Sequence, residues 1–104
     1  MEQFSIPHLG GGITIGDNTM IAAHCYLIDS DHGISAGKAI LDQEDTVEKI
    51  EIGEDVWLAA GVKVLKGSKI GKGAIIGANA VVKSSIPENS IAVGVPAAVR
   101  KYRK

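Results

Sequence analysis

From Ile52 to Pro87 an aliphatic residue recurs at every sixth position. Ile52, Leu58, Val64, Ile70, Ile76 and Val82 open the hexads IGEDVW, LAAGVK, VLKGSK, IGKGAI, IGANAV and VKSSIP. Two more, IGDNTM from Ile15 and IAAHCY from Ile21, carry the same signature nearer the start. The second position is Gly or Ala in six of these eight hexads, Leu65 and Lys83 being the exceptions. The fifth is small or aliphatic throughout: Thr19, Cys25, Val56, Val62, Ser68, Ala74, Ala80 and Ile86. The fifth position of one hexad lies two residues before the first of the next, so on a strand both face the same side. Each hexad therefore predicts a short strand with two inward residues, then a corner of Gly, Asn, Asp or Lys, where Gly and Asn accept unusual backbone angles. Three strands and three corners make a triangular coil of about 18 residues, and stacked coils make a solenoid. An ordinary alternating sheet does not predict a period of six. A helix is no better, because the glycines recur at a spacing that does not suit it.

The pattern divides one domain, residues 1–104, into segments. Residues 1–8 lead in, 9–28 form about one coil, 29–51 break the period, and 52–87 form about two coils. With the flanks the count comes to about five short coils. The tail PENSIAVGVPAAVRKYRK reads as a turn and then a short basic helix with Pro96 near its start. The fold class is all-β: a parallel β-helix solenoid with one extruded loop and a C-terminal helix.

Composition agrees with a narrow interior. Aromatics are only 4% of the 104 residues while glycine reaches 13, so the core is built from Ile, Val, Ala and Gly. A net charge of −1 gives no global pull toward nucleic acid or an acidic membrane. MEQFSIPHLGGG lacks a basic segment followed by an apolar run, so no signal peptide is expected. No stretch approaches the roughly 20 apolar residues of a membrane span, and a cytoplasmic location follows as the expectation. The single cysteine excludes a disulfide scaffold, and Cys25, at an inward hexad position, reads as a small core residue.

The break at 29–51 is the likeliest carrier of function. Leu27 would open a hexad with Asp31 at its fifth position, and an unpaired carboxylate is costly inside a narrow apolar prism. The chain must therefore leave the coil, and a loop that breaks a regular scaffold is where chemistry is sought. It contains Asp29-Ser30-Asp31-His32-Gly33. A histidine beside carboxylates suits general-base work, because imidazole titrates near neutrality. Taken alone, without the rest of the chain, His32 reads as a solvated loop residue sooner than as a base. His24, His32, Asp29 and Asp31 match no strong metal-ligand spacing, so no metal is expected.

The motifs ITIGDNTMIA, DSDHGI, IEIGEDVWLAAGVKVLKGSKIGKGAIIGANAVV and SIPENSIAVGVPA occur in order. Together they resemble the hexapeptide-repeat acyltransferases, and more narrowly the galactoside, maltose and nodulation acetyltransferases and the O-acetyltransferases of bacterial surface polysaccharides. The resemblance spans roughly Ile13 to Lys101. It implies a left-handed parallel β-helix, a homotrimer with active sites between subunits, acetyl-CoA as donor and a sugar or polysaccharide precursor as acceptor. It makes His32 the general base and sets Trp57 beside the acyl-CoA arm. It places Ala60 and Ala78 where small residues let that arm lie close, with the Ala60 amide facing the thioester carbonyl. Lys83, Ser84, Arg100 and Lys101 correspond to residues that hold the CoA phosphates, although Ala98 stands where Arg or Lys is common. Asp29, Asp31 and His24 are candidates for acceptor contacts, and either aspartate for orienting His32. His8 matches no role. MEQFSIPHLGGG does not match the acceptor-binding segment of the galactoside enzymes, so the expectation is either a trimmed family member or an acceptor site with part of it missing.

The implied reaction is O-acetyl transfer from acetyl-CoA to a sugar hydroxyl. Two other readings stand beside it: a non-catalytic solenoid used for assembly, and a carbonic-anhydrase-like metal protein, against which the repeats after Ile52 contain no histidine.

Overall fold

In the computed structural model the described residues are 4–8, for their backbone alone, and 11–104. The expected start of the first coil at residue 9, and the side chain of His8, lie outside them. The strands in chain order are β1 (Phe4–His8), β2 (Gly11–Ile15), β3 (Met20–Ile21), β4 (Tyr26–Leu27), β5 (Ser30–Asp31), β6 (Thr46–Val47), β7 (Ile50–Ile52) and β8 (Trp57–Leu58). They continue with β9 (Lys63–Val64), β10 (Lys69–Ile70), β11 (Ile75–Ile76), β12 (Val81–Val82), β13 (Ser85–Ile86), β14 (Ser90–Val93) and β15 (Ala98–Tyr102). A single 3-10 turn, Ile40–Asp42, lies between β5 and β6.

Three faces result. The first orders β1-β2-β7-β10-β13, the second β15-β14-β11-β8-β3, and the third β12-β9-β4. Neighbours within the coils pair in parallel, and register follows the repeat: Lys69 sits on Glu51, Ile75 on Trp57 and Val81 on Lys63, each one coil of 18 residues away. First-position residues point inward as predicted. Ile52, Leu58, Val64, Ile70, Ile76 and Val82 are all buried, at 3% exposure or less. The polar fifth-position residues are satisfied by corner and strand carbonyls of the next coil. Thr19 Oγ1 donates to Gly53 O at 2.9 Å, Cys25 Sγ to Ala59 O at 3.2 Å and Ser68 Oγ to Val82 O at 3.1 Å. A buried hydroxyl without a partner would be costly, so these bonds are what admit polar residues to the prism.

Corners carry the left-handed backbone angles the repeat needs. On the corner between the second and third faces, His24 (φ 63°), Gly61 (φ 74°) and Asn79 (φ 62°) stack in successive coils. Gly61 is required there twice over, because a side chain would also strike the Asn79 carboxamide. His24 is exposed and takes an angle in which His, Asn and Asp are enriched.

Three features depart from the sequence reading. First, Ile86 is not a fifth-position residue. It pairs in register with Ile70, and Ser90 takes the buried fifth position instead. The corner after Val82 is two residues shorter than the others, so the following hexads are IPENSI and AVGVPA. Second, the described coils number three, with part of a fourth at β13 and β14, rather than about five. Third, the tail is not helical. After a turn at 94–97, β15 runs antiparallel along β14, with Ser90 opposite Tyr102 and Val93 opposite Ala98. β14 would otherwise be an open edge, and pairing along it satisfies a row of backbone groups. A helix of this length would be marginal, since nucleation is unfavourable and few bonds repay it. At the other end, β1 covers β2 in the same antiparallel manner.

The segment between β4 and β7 leaves the prism at the corner between the third and first faces, and the coil resumes at Ile50. Its base is the two-rung antiparallel hairpin β5–β6.

Candidate functional site

The hairpin register makes the site. Ser30 faces Val47 and Asp31 faces Thr46, so the next rung outward brings His32 opposite Asp45. His32 Nδ1 lies 3.3 Å from Asp45 Oδ1, with 65% and 54% of the two side chains exposed. A proton on Nδ1 directed at Asp45 leaves the Nε2 lone pair as the basic atom. Tyr26, Ile28, Ser30, Asp31, His32 and Asp45 line a hollow of about 280 Å³ at this corner.

Beyond the pair the loop is organised by Gln43. Its side chain accepts from Ser35 N at 2.9 Å and donates to Ser35 O and Lys38 O, both at 3.0 Å. Gly33 follows from this. A Cβ there would meet Gln43 Oε1 at 2.7 Å and Gln43 Cβ at 2.9 Å, and three hydrogen bonds prevent that side chain from yielding.

The aspartates beside His32 do not orient it. Asp29 is buried at 6% exposure and turns toward the first coil, where its Oδ2 accepts the Gly12 N–H at 2.8 Å. Asp31 turns to Lys66, whose Nζ lies 3.9 Å from Asp31 Oδ2 and 3.2 Å from Glu48 Oε1. The carboxylate that reaches the His32 ring is Asp45, which sequence proximity did not reveal. The available signal was the antiparallel register of the loop base, and with it Glu48 and Lys66 come into view.

The remaining candidates occupy other parts of the prism. Trp57 stands outward on the second face between Met20 and Ile75, 45% exposed. Together with Asn18, Asp55, Val56 and Arg103 these residues line a second hollow of about 240 Å³. Ala60 and Ala78 are exposed on the corner between the second and third faces, one residue before the column of His24, Gly61 and Asn79. The Ala60 carbonyl accepts from Asn79 N, while its N–H meets no backbone carbonyl among the described residues. Lys83 and Ser84 lie on the loop's corner, one coil beyond Lys66. Arg100 and Lys101 are exposed on β15 and form no ion pair among the described residues. Arg103 is committed to the corner of the second and third coils, with Nη1 2.9 Å from Gly73 O and 3.2 Å from Asp55 Oδ2. Trp57 therefore stands on the second face, whereas His32 stands on the hairpin at the corner between the third and first faces, and their hollows share no residue. Among the described residues no three His, Cys, Asp or Glu side chains converge as a metal site would require.

This geometry can now be set against known proteins. Residues 49–84 match the family described as bacterial transferase hexapeptide (six repeats). The chain is 43% identical over 93 residues to a Mycobacterium tuberculosis protein named as acetyltransferase Rv3034c, covering 88% of this chain and 31% of that one. It is 40% identical over 99 residues to the Escherichia coli protein named as lipopolysaccharide biosynthesis O-acetyl transferase WbbJ, covering 86% and 50%. Among solved structures, galactoside acetyltransferase in complex with coenzyme A superposes with a TM-score of 0.81 at 34% identity, over 86% of this chain and 44% of that one. The chain thus spans between about a third and a half of the length of these relatives. Its six-residue period, its three parallel faces and the matched repeats agree, and the chain belongs to the hexapeptide-repeat transferase family, whose fold is the left-handed parallel β-helix.

Proposed function

We propose that this β-helix catalyses O-acetyl transfer from acetyl-CoA to a sugar hydroxyl, with His32 as general base. The observation that carries the reading is the His32–Asp45 pair at the mouth of an open hollow. Identity of 34% to a galactoside acetyltransferase that binds coenzyme A supports the donor, and the name of the Escherichia coli relative supports a saccharide acceptor.

The residues fit the donor in three respects. Trp57 and Ile75 offer an exposed apolar strip for a pantetheine arm. Ala60 and Ala78 leave the neighbouring corner clear of side chains. Arg100 and Lys101 present exposed cations for phosphates, and Lys83 adds another at the loop corner. The bound donor supplies an acetyl carbonyl activated as a thioester. His32 Nε2 accepts the acceptor's hydroxyl proton while that oxygen bonds to the carbonyl carbon. Asp45 holds the ring and stabilises the imidazolium that forms. The Ala60 N–H points its dipole at the developing oxyanion. His32 then returns the proton to the departing sulfur, giving the O-acetyl ester and free CoA. Asp31 and Ser30, in the His32 hollow, are placed to contact the acceptor, with His24 further off on its own corner.

Trp57 lies on the second face and His32 on the hairpin at the corner across from it, so donor and base meet only if another copy contributes one of them. A closed ring of three chains, the second face of each against the hairpin of the next, supplies that juxtaposition.

The test is CoA release from acetyl-CoA across a panel of sugars and nucleotide sugars, with the mass of the oligomer measured on the same preparation. His32→Ala is expected to lower the rate by roughly 10²–10⁴-fold with unchanged thermal unfolding. Full activity in that variant would overturn the base assignment. A monomer releasing CoA at the full rate would overturn the ring.

A further inference from the structure

We propose that Lys66 is a positioning residue for His32, tying both strands of the hairpin to the second coil. The inference rests on the reading of His32 as the base.

The hairpin needs such a tie. It has only two rungs, and a ribbon so short has little stability of its own. One root is fixed through Asp29, whose side chain takes the Gly12 N–H and whose carbonyl takes the Glu48 N–H at 2.8 Å. That bond sets where the two strands emerge from the coil. It does not set the angle at which they project.

Lys66 supplies the second constraint. It stands on the corner of the second coil directly beyond the loop's exit, and its side chain is only 24% exposed, against 61% for Glu48 and 60% for Asp31. The ammonium bonds to Glu48 Oε1 at 3.2 Å, and Asp31 Oδ2 is 3.9 Å away. Asp31 immediately precedes His32, and Glu48 lies three residues after Asp45. One cation thus holds a carboxylate from each strand, and the plane of the hairpin is fixed relative to the prism. His32 and Asp45 occupy the next rung out, so their direction is set by that plane.

Exposed ion pairs contribute little to stability. Their effect on placement can be much larger, since misplacing a catalytic group by about 1 Å can cost on the order of 10²-fold. An arginine can make the same bridge with its planar fork, whereas a methionine of similar length cannot.

The full chain is compared as wild type, Lys66→Met, Lys66→Gln, Lys66→Arg, Glu48→Gln and His32→Ala. The first readout, nitrogen NMR of the imidazoles, requires no acceptor. Lys66→Met and Glu48→Gln are expected to shift and broaden the His32 signals, as the hairpin samples other directions against the prism, while the His24 signal stays in place, and Lys66→Arg to restore the wild-type spectrum. Lys66→Gln guards against misfolding of the methionine variant. The second readout is steady-state CoA release. Lys66→Met is expected to lower kcat roughly tenfold to a hundredfold with little change in KM for acetyl-CoA, and Lys66→Arg to recover most of it. An unchanged His32 signal and unchanged kcat in folded Lys66→Met and Lys66→Gln would overturn the inference. Full activity in His32→Ala would instead overturn the reading on which it rests.

Discussion

Leu58, Val62 and Val64 in the second coil are wholly enclosed, whereas His32 and Asp45 in the hairpin keep more than half of their side-chain surface in solvent. The two regions use opposite means to fix a side chain. In the coil, a residue is held by the small or aliphatic residues at the same hexad position one turn above and below, so its position follows from the period. In the hairpin nothing repeats. Each group is held by individual polar contacts: Asp29 to Gly12 N–H, Lys66 to Glu48, Gln43 to three backbone groups. A stack of coils tolerates an extruded segment because each coil contacts only its neighbours. The coil therefore carries stability and the hairpin can carry chemistry, and substitutions should separate the two.

The largest effect should come from the coil. Leu58→Ala removes a fully enclosed side chain from the second face, between Ile21 and Ile76. A change of this kind costs about 2–5 kcal/mol, including the cavity it leaves. Denaturant unfolding monitored by circular dichroism measures it. A cost below about 1 kcal/mol would mean that the prism does not pack as a continuous core, and the contrast with the hairpin would fail.

A second substitution sharpens the contrast from the other side. Asp45→Asn keeps the shape of the partner and removes its charge. The unfolding midpoint should not move, because both groups are largely in solvent. The rate of CoA release should fall about 10–100-fold, since the amide neither favours the Nδ1–H tautomer nor stabilises the imidazolium. Equal activity in wild type and Asp45→Asn would show that the carboxylate does not orient the base.

The sequence exposed these regions unequally, for the same reason that they differ physically. Period six sufficed to assign the inward residues from Ile52 to Val82, because in a stacked coil local spacing determines the long-range neighbour. It failed at Ile86, where the corner VKSS is two residues short yet uses residue types found at any corner. It failed again at Ala98–Tyr102, where the deciding interaction is an open edge on β14 rather than anything within the segment. His32 was legible from motif and chemistry. Its partner was not, because Asp29 and Asp31 are adjacent in the chain but face the coil and Lys66, while Asp45 is thirteen residues away and arrives by register. Lys66 looked like an ordinary corner lysine until the hairpin placed two carboxylates beside it.

The smallest effect concerns the outward side of the first face, where two lysines share the Glu51 carboxylate without enclosing anything. Lys49 Nζ lies 2.9 Å from Glu51 Oε1, and Lys69 is 3.9 Å from the other oxygen. The hydrogen bond from Lys49, reinforced by its charge, holds the Glu51 carboxyl below its usual 4.5, and the same bond raises Lys49 above 10.5. The sign follows from proton counting. A carboxyl with a lowered folded-state value binds fewer protons folded than unfolded, so its contribution is full above the unfolded value and fades as pH falls through the folded one. At the other extreme, the lysine's contribution is full below its unfolded value and fades as pH rises through the raised folded value. Lys49 is 67% and Glu51 38% exposed, so solvent screens the pair and the contribution is slight. Glu51→Gln should accordingly lower the unfolding temperature by no more than a few degrees at pH 7, and the difference should fade as pH falls through the lowered folded-state value of Glu51. A large loss at neutral pH would mean that surface charge, and not the enclosed aliphatic ladder, holds these coils together.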